Sequence, residues 1–248
     1  MTNQKKIAVV TGSNRGLGYA IARKLSQIGI HVVLTSRNQT DGLAVKEQLF
    51  SEGLDVNYHT LDVTSDLNVA EFVQWLREAY GRVDILVNNA GINPTTKPEE
   101  SSLLTVQLET MRSTFDTNVL ALLRISQALI PLMKVHNYGR IVNVSTEMAS
   151  LAAINNDYYP IAPSYRLSKL GVNGLTALLA KELLGGNILV NAYSPGWMKT
   201  DMGGENAPFT ADQGAETAVY LATLPDGGAQ GQFFAEMRQF GGPINLQW

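Results

Sequence analysis

Short runs of β-branched residues recur along the chain, and each is followed by a longer stretch with apolar residues at helical spacing. This alternation narrows the fold more than any other feature. Ile7–Thr11 reads as a buried strand, after which Leu17, Ile21, Leu25 and Ile28 repeat at helical spacing until Gly29 ends the pattern. The alternation continues with strand His31–Thr35, helix Leu43–Phe50, strand Val56–Leu61, helix Leu67–Tyr80 and strand Val83–Val87. Thr117–Val135 reads as a long helix with Pro131 near its end, Arg140–Val144 as a strand and Tyr165–Leu184 as a helix. Ile188–Ala192, Ala211–Leu224 and Gln232–Phe234 complete the series as strand, helix and last strand. Strands alternating with helices imply parallel βαβ units. Strands this uniformly apolar suit a sheet covered on both faces.

The chain has 248 residues and no cysteine, which excludes a disulfide scaffold, cysteine-ligated zinc, iron–sulfur clusters and a thiol nucleophile. Nineteen basic against 22 acidic residues give a net charge of −3, so there is no basic excess for nucleic acid. His31, His59 and His136 are far apart and no HExxH spacing occurs, so no metal site is expected. No stretch approaches the ~18 apolar residues of a membrane span. The start, MTNQKKIAVVTG, has no cleavage pattern of a secretory signal, and the expected location is the cytoplasm.

The segment Thr11–Gly18, TGSNRGLG, lies between the first strand and the first helix. Gly12, Gly16 and Gly18 permit a tight turn and a close approach of backbone to a pyrophosphate. The helix start then offers unpaired N–H groups to the anion. A glycine motif alone is equally an ordinary turn; the strand–loop–helix context favours a dinucleotide site. No G-x-x-x-x-G-K-[ST] occurs, so this is not a nucleotide-hydrolysing loop. The expected fold is therefore α/β, a Rossmann-type doubly wound parallel sheet with helices on both faces, one domain over residues 1–248. The longest irregular stretches, Asn89–Glu100, Thr146–Ser164 and Ser194–Thr210, follow strands at the sheet edge where such folds bind ligands.

A free ribose 2′-hydroxyl is usually met by an acid ~20 residues beyond the glycines. Here Arg37 stands in that region, Asp41 lies past the strand end, and Arg15 sits inside the glycine loop. Two guanidinium groups favour a 2′-phosphate, hence NADP(H). The alternative is a pair of solvated surface arginines.

Tyr165 is followed four residues later by Lys169, on the same helical face. A neighbouring ammonium is expected to lower the tyrosine pKa from ~10 and ease proton exchange. An exposed helical face would show the same spacing, so the pair gains weight only from its company. TGSNRGLG, Asp62-Val63, NNAG at Asn88–Gly91, YRLSK at Tyr165–Lys169 and SPGWMKT at Ser194–Thr200 occur in one order. The set resembles the short-chain dehydrogenase/reductase family over nearly the whole chain. The C-terminal GQFFAEMRQFGGPINLQW is more similar to carbonyl-reductase-type members than to 3-oxoacyl-carrier-protein reductases.

The resemblance implies roles. Tyr165 is the expected proton donor, Lys169 binds the nicotinamide ribose and assists Tyr165, and Asn118 supports a water-linked relay. Gly12, Ser13, Asn14, Arg15, Gly16, Leu17 and Gly18 cradle the phosphates, with Arg37 beside them. Asp62 and Val63 touch the adenine, and Asn89, Ala90 and Gly91 line the cofactor path. Pro195, Gly196, Trp197 and Thr200 hold the nicotinamide end. The family's strand ends in a run such as R-I-V-N-V-S-S; aligned on Arg140, its catalytic serine falls on Thr146, with Ser145 the alternative if the register slips by one.

The implied reaction is NADPH-dependent reduction of an aldehyde or ketone, with Thr146 and Tyr165 donating to the oxygen. Oxidation of a secondary alcohol, or a low-activity NADPH-binding sensor, are the competing readings. The lack of a G-x-S-x-G elbow argues against a serine hydrolase. Met148, Leu151, Ile154, Tyr158 and Tyr159 in one loop, and Trp197, Met202 and Phe209 in another, suit an apolar substrate pocket. Glu147, beside Thr146, either meets a polar or cationic substrate or is simply solvated. Met198–Pro208 reads as a lid or as plain surface loop. Homo-oligomers would pair through the helices near Thr117 and Tyr165, where Gly171, Gly174 and Ala177 permit close approach or pack on the sheet instead.

Overall fold

A computed structural model describes residues 5–248; residues 1–4, which open the expected domain, lie outside the described residues. The strands are β1 (Ile7–Val10), β2 (His31–Ser36), β3 (Val56–Thr60), β4 (Ile85–Asn88), β5 (Gly139–Val144), β6 (Ile188–Tyr193), β7 (Met198–Lys199), β8 (Phe209–Thr210) and β9 (Phe233–Phe234). The helices are α1 (Gly16–Gln27), α2 (Gln39–Ser51), α3 (Asp66–Ala79), α4 (Leu108–Phe115), α5 (Ala121–Lys134), α6 (Pro163–Glu182), α7 (Ala211–Ala222) and α8 (Met237–Phe240).

Seven strands form one parallel sheet in the order β3-β2-β1-β4-β5-β6-β9. The order reverses between β1 and β4, and the loops on either side diverge there to leave a crevice at the carboxyl edge. Alternate residues of each strand feed two cores. Ala8, Val10, Val32 and Leu34 pack with Ile21 and Leu25 of α1 and Leu221 of α7. Val9, Val33 and Leu86 pack with Phe72 and Leu76 of α3, Leu129 and Met133 of α5 and Leu179 of α6. Asn38 caps α2 and Ser65 caps α3, while Thr210 and Gln213 form a capping box on α7. No helix among the described residues is long and apolar enough to cross a membrane.

The helix expected from Thr117 begins nine residues earlier, at Leu108, and passes through a π turn at Asp116–Leu120 before α5. The first eight residues, LETMRSTF, are too polar to continue the apolar pattern. The cap at Asn38 likewise starts α2 four residues before Leu43. Two further elements, the β7–β8 pair and α8, are too short to show a period.

Candidate active site

A cavity of about 1180 Å³ runs along the carboxyl edge of the sheet, from the glycine loop to the segments after β5 and β6. At one end, Gly12 and Gly16 take φ of +64° and +55°, where a side chain is strained. A Cβ on Gly18 would stand 2.3 Å from the Gly12 carbonyl oxygen, so α1 can sit this close to the loop only with glycine there. Asn89 braces the turn: its Nδ2 donates to the carbonyls of Thr11 and Gly12 at 2.9 and 3.0 Å. Arg15 precedes α1 without a side-chain cap, so the helix start is left open to an anion.

Gly12, Asn14, Arg15, Gly16, Leu17, Gly18, Arg37, Asp62, Val63, Asn89, Ala90 and Gly91 all line this cavity. Ser13 does not. It is fully buried and its Oγ accepts from Thr35 N at 2.9 Å, stapling the loop to β2. Arg15 reaches across the mouth to Asp201 at 2.8 Å, a pair open to solvent on both sides. Arg37 is exposed at the end of β2. Burial pushes the Asp62 carboxyl up, but the Thr64 N–H and hydroxyl and the charge of Arg37 hold it below its ordinary value.

At the other end stand Thr146, Tyr165 and Lys169. Thr146 follows β5 and accepts from Met148 N at 3.4 Å, which leaves its O–H free to donate into the cavity. Ser145 is buried, and its hydroxyl donates to Asn173 Oδ1 at 2.6 Å. Both line the cavity, but the Ser145 hydroxyl is committed to α6 whereas the Thr146 hydroxyl has no acceptor among the described residues. Tyr165 Oη has no protein hydrogen-bond partner among the described residues. Lys169 Nζ is buried, donates to Val144 O at 2.7 Å and lies 5.8 Å from the Tyr165 ring centre.

The expected lowering of the tyrosine pKa is not what the protein alone produces. Burial pushes Tyr165 up to about 12 and Lys169 down to about 8. At the present separation desolvation outweighs the ammonium. Asn118 sits in the π turn and does not line the cavity. Its Oδ1 accepts from Ile92 N and its Nδ2 donates to Ile92 O and Ser168 Oγ, so the side chain locks α6 to the loop after β4. A π turn is often a functional distortion of a helix.

Two residues that the sequence does not single out hold this end together. Arg166, next to Tyr165, is buried, and no carboxylate pairs with it among the described residues. Its guanidinium donates to the carbonyls of Met148, Ala153, Ile154 and Pro160, and so ties down the loop between β5 and α6. Glu100 is also buried and accepts from the N–H and hydroxyl of Ser164, which anchors the start of α6. Neither leaves a local pattern, because the acceptors are backbone groups and distant residues. Under the helix, Asn88 Nδ2 donates to Asn143, and Asn143 donates to Thr176, linking β4, β5 and α6 through buried amides.

Pro195, Gly196, Trp197 and Thr200 line the cavity from the far side. The segment they begin is pinned by the β7–β8 pair, by Trp197 Nε1 donating to Gly203 O at 2.7 Å, and by the Asp201–Arg15 pair. These contacts tie the segment to itself and to the glycine loop. The whole arrangement offers an anion cradle at one end and, at the other, two hydroxyl donors over a buried ammonium. Such donors can stabilise negative charge developing on an oxygen and transfer a proton to it.

A family model described as short chain dehydrogenase matches residues 6–210. The carbonyl reductase [NADPH] 3 of Rattus norvegicus is 35% identical over 266 aligned positions, covering 91% of this chain and 93% of that protein. The carbonyl reductase [NADPH] 1 of Homo sapiens is 34% identical and covers 96% and 99%. Among solved structures, an NADPH-bound carbonyl reductase from chicken fatty liver superposes with a TM-score of 0.85 at 25% identity, covering 99% and 100%. Salutaridine reductase from Papaver somniferum gives 0.82 at 28%, covering 92% and 99%.

Proposed function

The chain belongs to the short chain dehydrogenase family, and on that premise we propose that it reduces an aldehyde or ketone to an alcohol with NADPH. The observation that carries this is one cavity with a glycine-loop anion cradle at one end and Thr146, Tyr165 and Lys169 at the other. A single domain then serves both ligands.

The cradle fits a dinucleotide. Gly12, Gly16 and Gly18 keep the loop free of side chains, and the uncapped start of α1 takes a phosphate. Arg37, and Arg15 when released from Asp201, take the 2′-phosphate that distinguishes NADPH from NADH. Asp62 and Val63 flank the adenine end, and Pro195, Gly196, Trp197 and Thr200 the nicotinamide end. When bound, NADPH supplies the hydride.

The protein's own part is to place and protonate the oxygen. Thr146 and Tyr165 both donate to it, and Tyr165 then gives up its proton as the alcohol forms. Burial keeps the free phenol protonated at neutral pH, which matches a donor. The Lys169 ammonium offsets the phenolate that results, where two of its protons remain after the bond to Val144 O. Asn118 is a positioning residue, since both ends of its amide are engaged. Copies would associate through the exposed face of α6 at Gly174, Ala177 and Leu178, because Gly171 is already covered by Val119 of the same chain.

The test is NADPH consumption with a panel of aldehydes and ketones. Tyr165→Phe is expected to lose about 10²–10⁴-fold in kcat while NADPH still raises the melting temperature. Full activity in that variant would overturn the reading.

A further inference from the structure

The charged side chains lining the cavity are unevenly placed. Arg15, Arg37, Asp41 and Asp62 stand at the glycine-loop end, Asp201 is paired with Arg15, and the Lys169 ammonium is buried against Val144 O. The remaining one is Glu147, directly after Thr146. It is half-buried in the cavity wall, at the start of a 3-10 turn whose N-cap is Thr146. No Lys, Arg or His pairs with it among the described residues.

Its neighbours in the cavity wall are aromatic. Tyr158 and Tyr159 lie edge to face at 5.1 Å, with the Glu147 charge bearing on Tyr159. Trp197 lines the same cavity from the segment after β6, its indole fixed by the bond to Gly203 O. A half-buried carboxylate with no cation beside it among the described residues, next to the Tyr159 hydroxyl and in a cavity also lined by Tyr158 and Trp197, is the chemistry that recognises an organic ammonium. A purely apolar substrate would bury this carboxylate at a cost.

We propose that Glu147, with Tyr158, Tyr159 and Trp197, forms a cation subsite that selects carbonyl substrates bearing a protonated amine. This rests on the carbonyl-reductase reading and specifies its substrate class. Thr146 and Glu147 are adjacent in sequence, with Cα atoms ~3.8 Å apart, so the ammonium belongs on the same small molecule as the carbonyl held by Thr146, about one aromatic ring away.

The experiment compares para-(dimethylaminomethyl)acetophenone with its neutral isostere, para-isobutylacetophenone, at neutral pH with saturating NADPH. The wild type is expected to favour the cationic ketone by about tenfold or more in kcat/KM, and Glu147→Gln to bring that ratio close to one. Glu147→Asp retains part of the preference. A wild-type ratio near one, or a preference that survives Glu147→Gln, overturns the subsite while leaving carbonyl reduction standing. If neither ketone is reduced, carbonyl reduction is judged on the wider aldehyde and ketone panel, and binding of benzyltrimethylammonium followed by calorimetry decides the subsite. Binding to the wild type that weakens about tenfold in Glu147→Gln supports it; equal binding to both, or none, overturns it.

Discussion

Lys169 sits under two opposed demands. The proposed chemistry needs its ammonium beside Tyr165, yet burial favours the neutral amine and brings its pKa to about 8. Reduction is therefore expected to fall as pH rises through about 8, because the charge that offsets the phenolate is lost. Tyr165, pushed up to about 12, does not titrate in that window. A profile of kcat/KM between about pH 6 and 10 checks this; in Lys169→Arg, charged throughout, the fall near 8 should vanish even though overall activity drops. The same shift acts on stability. The unfolded chain holds the Lys169 proton up to ~10.4 and the folded one only to about 8, so folding gains as pH rises between those values and carries the full penalty below them. Lys169→Met should thus be more stable to urea at pH 7, by about 1–3 kcal/mol, while reduction is lost. Thr146 makes a second residue-scale prediction. Thr146→Ser keeps the donor and should stay within a few-fold of wild type, whereas Thr146→Ala should lose about 10²–10³ in kcat. Ser145→Ala instead strips Asn173 of a buried partner and should register mainly as about 1–2 kcal/mol of lost stability in urea.

At the scale of elements, α6 does more than carry Tyr165 and Lys169. Through Arg166 it grips four carbonyls of the loop that forms the substrate wall, and through Ser164 it is anchored to Glu100. Lysine cannot reproduce that fork of donors. Arg166→Lys is therefore expected to raise KM for the carbonyl by about tenfold or more with a smaller change in kcat, and to speed proteolysis between residues 147 and 162. Steady-state kinetics and limited digestion read the two effects separately. These elements also mark where the sequence was legible. The strands from β1 to β6 and helices α1, α3, α6 and α7 each bury enough apolar residues to show their period, and the glycine loop, Thr146 and the Tyr165–Lys169 pair have local signatures. The polar start at Leu108, the two-residue strands β7 and β8, and α8 show none, since their stability comes from partners elsewhere in the chain. Arg166 and Glu100 were invisible for the same reason: a buried charge held by backbone groups looks, in sequence, like a charge on a solvated face. Ser13 erred in the opposite sense, with a loop position that suggests a ligand and a hydroxyl turned inward to β2.

For the molecule as a whole, the decisive fact is that one cavity touches both halves of the sheet. Its walls come from the loops after β1, β2 and β3 on one side of the switch point and from those after β4, β5 and β6 on the other. A dinucleotide lying along that edge contacts both halves at once, and a ligand that binds only the folded chain stabilises it by mass action. At about 100 times its dissociation constant this is ~2.7 kcal/mol, or roughly 5–10 °C in melting temperature for a chain of this size. The same measurement reads the phosphate preference without any carbonyl substrate. Arg37 stands exposed at the β2 end and makes no ion pair among the described residues, whereas Arg15 must first leave Asp201. Arg37 should therefore carry the larger part of the discrimination. A charged hydrogen bond of about 1.5–3 kcal/mol corresponds to about 10–100-fold in affinity. Arg37→Ala is expected to shrink the NADPH-induced thermal shift to that given by NADH, with the NADH shift itself little altered. Asp201→Asn, by freeing Arg15, should move the NADPH shift the other way. If Arg37→Ala keeps the full preference for NADPH, the 2′-phosphate is held elsewhere along the edge and the role given to the end of β2 is wrong.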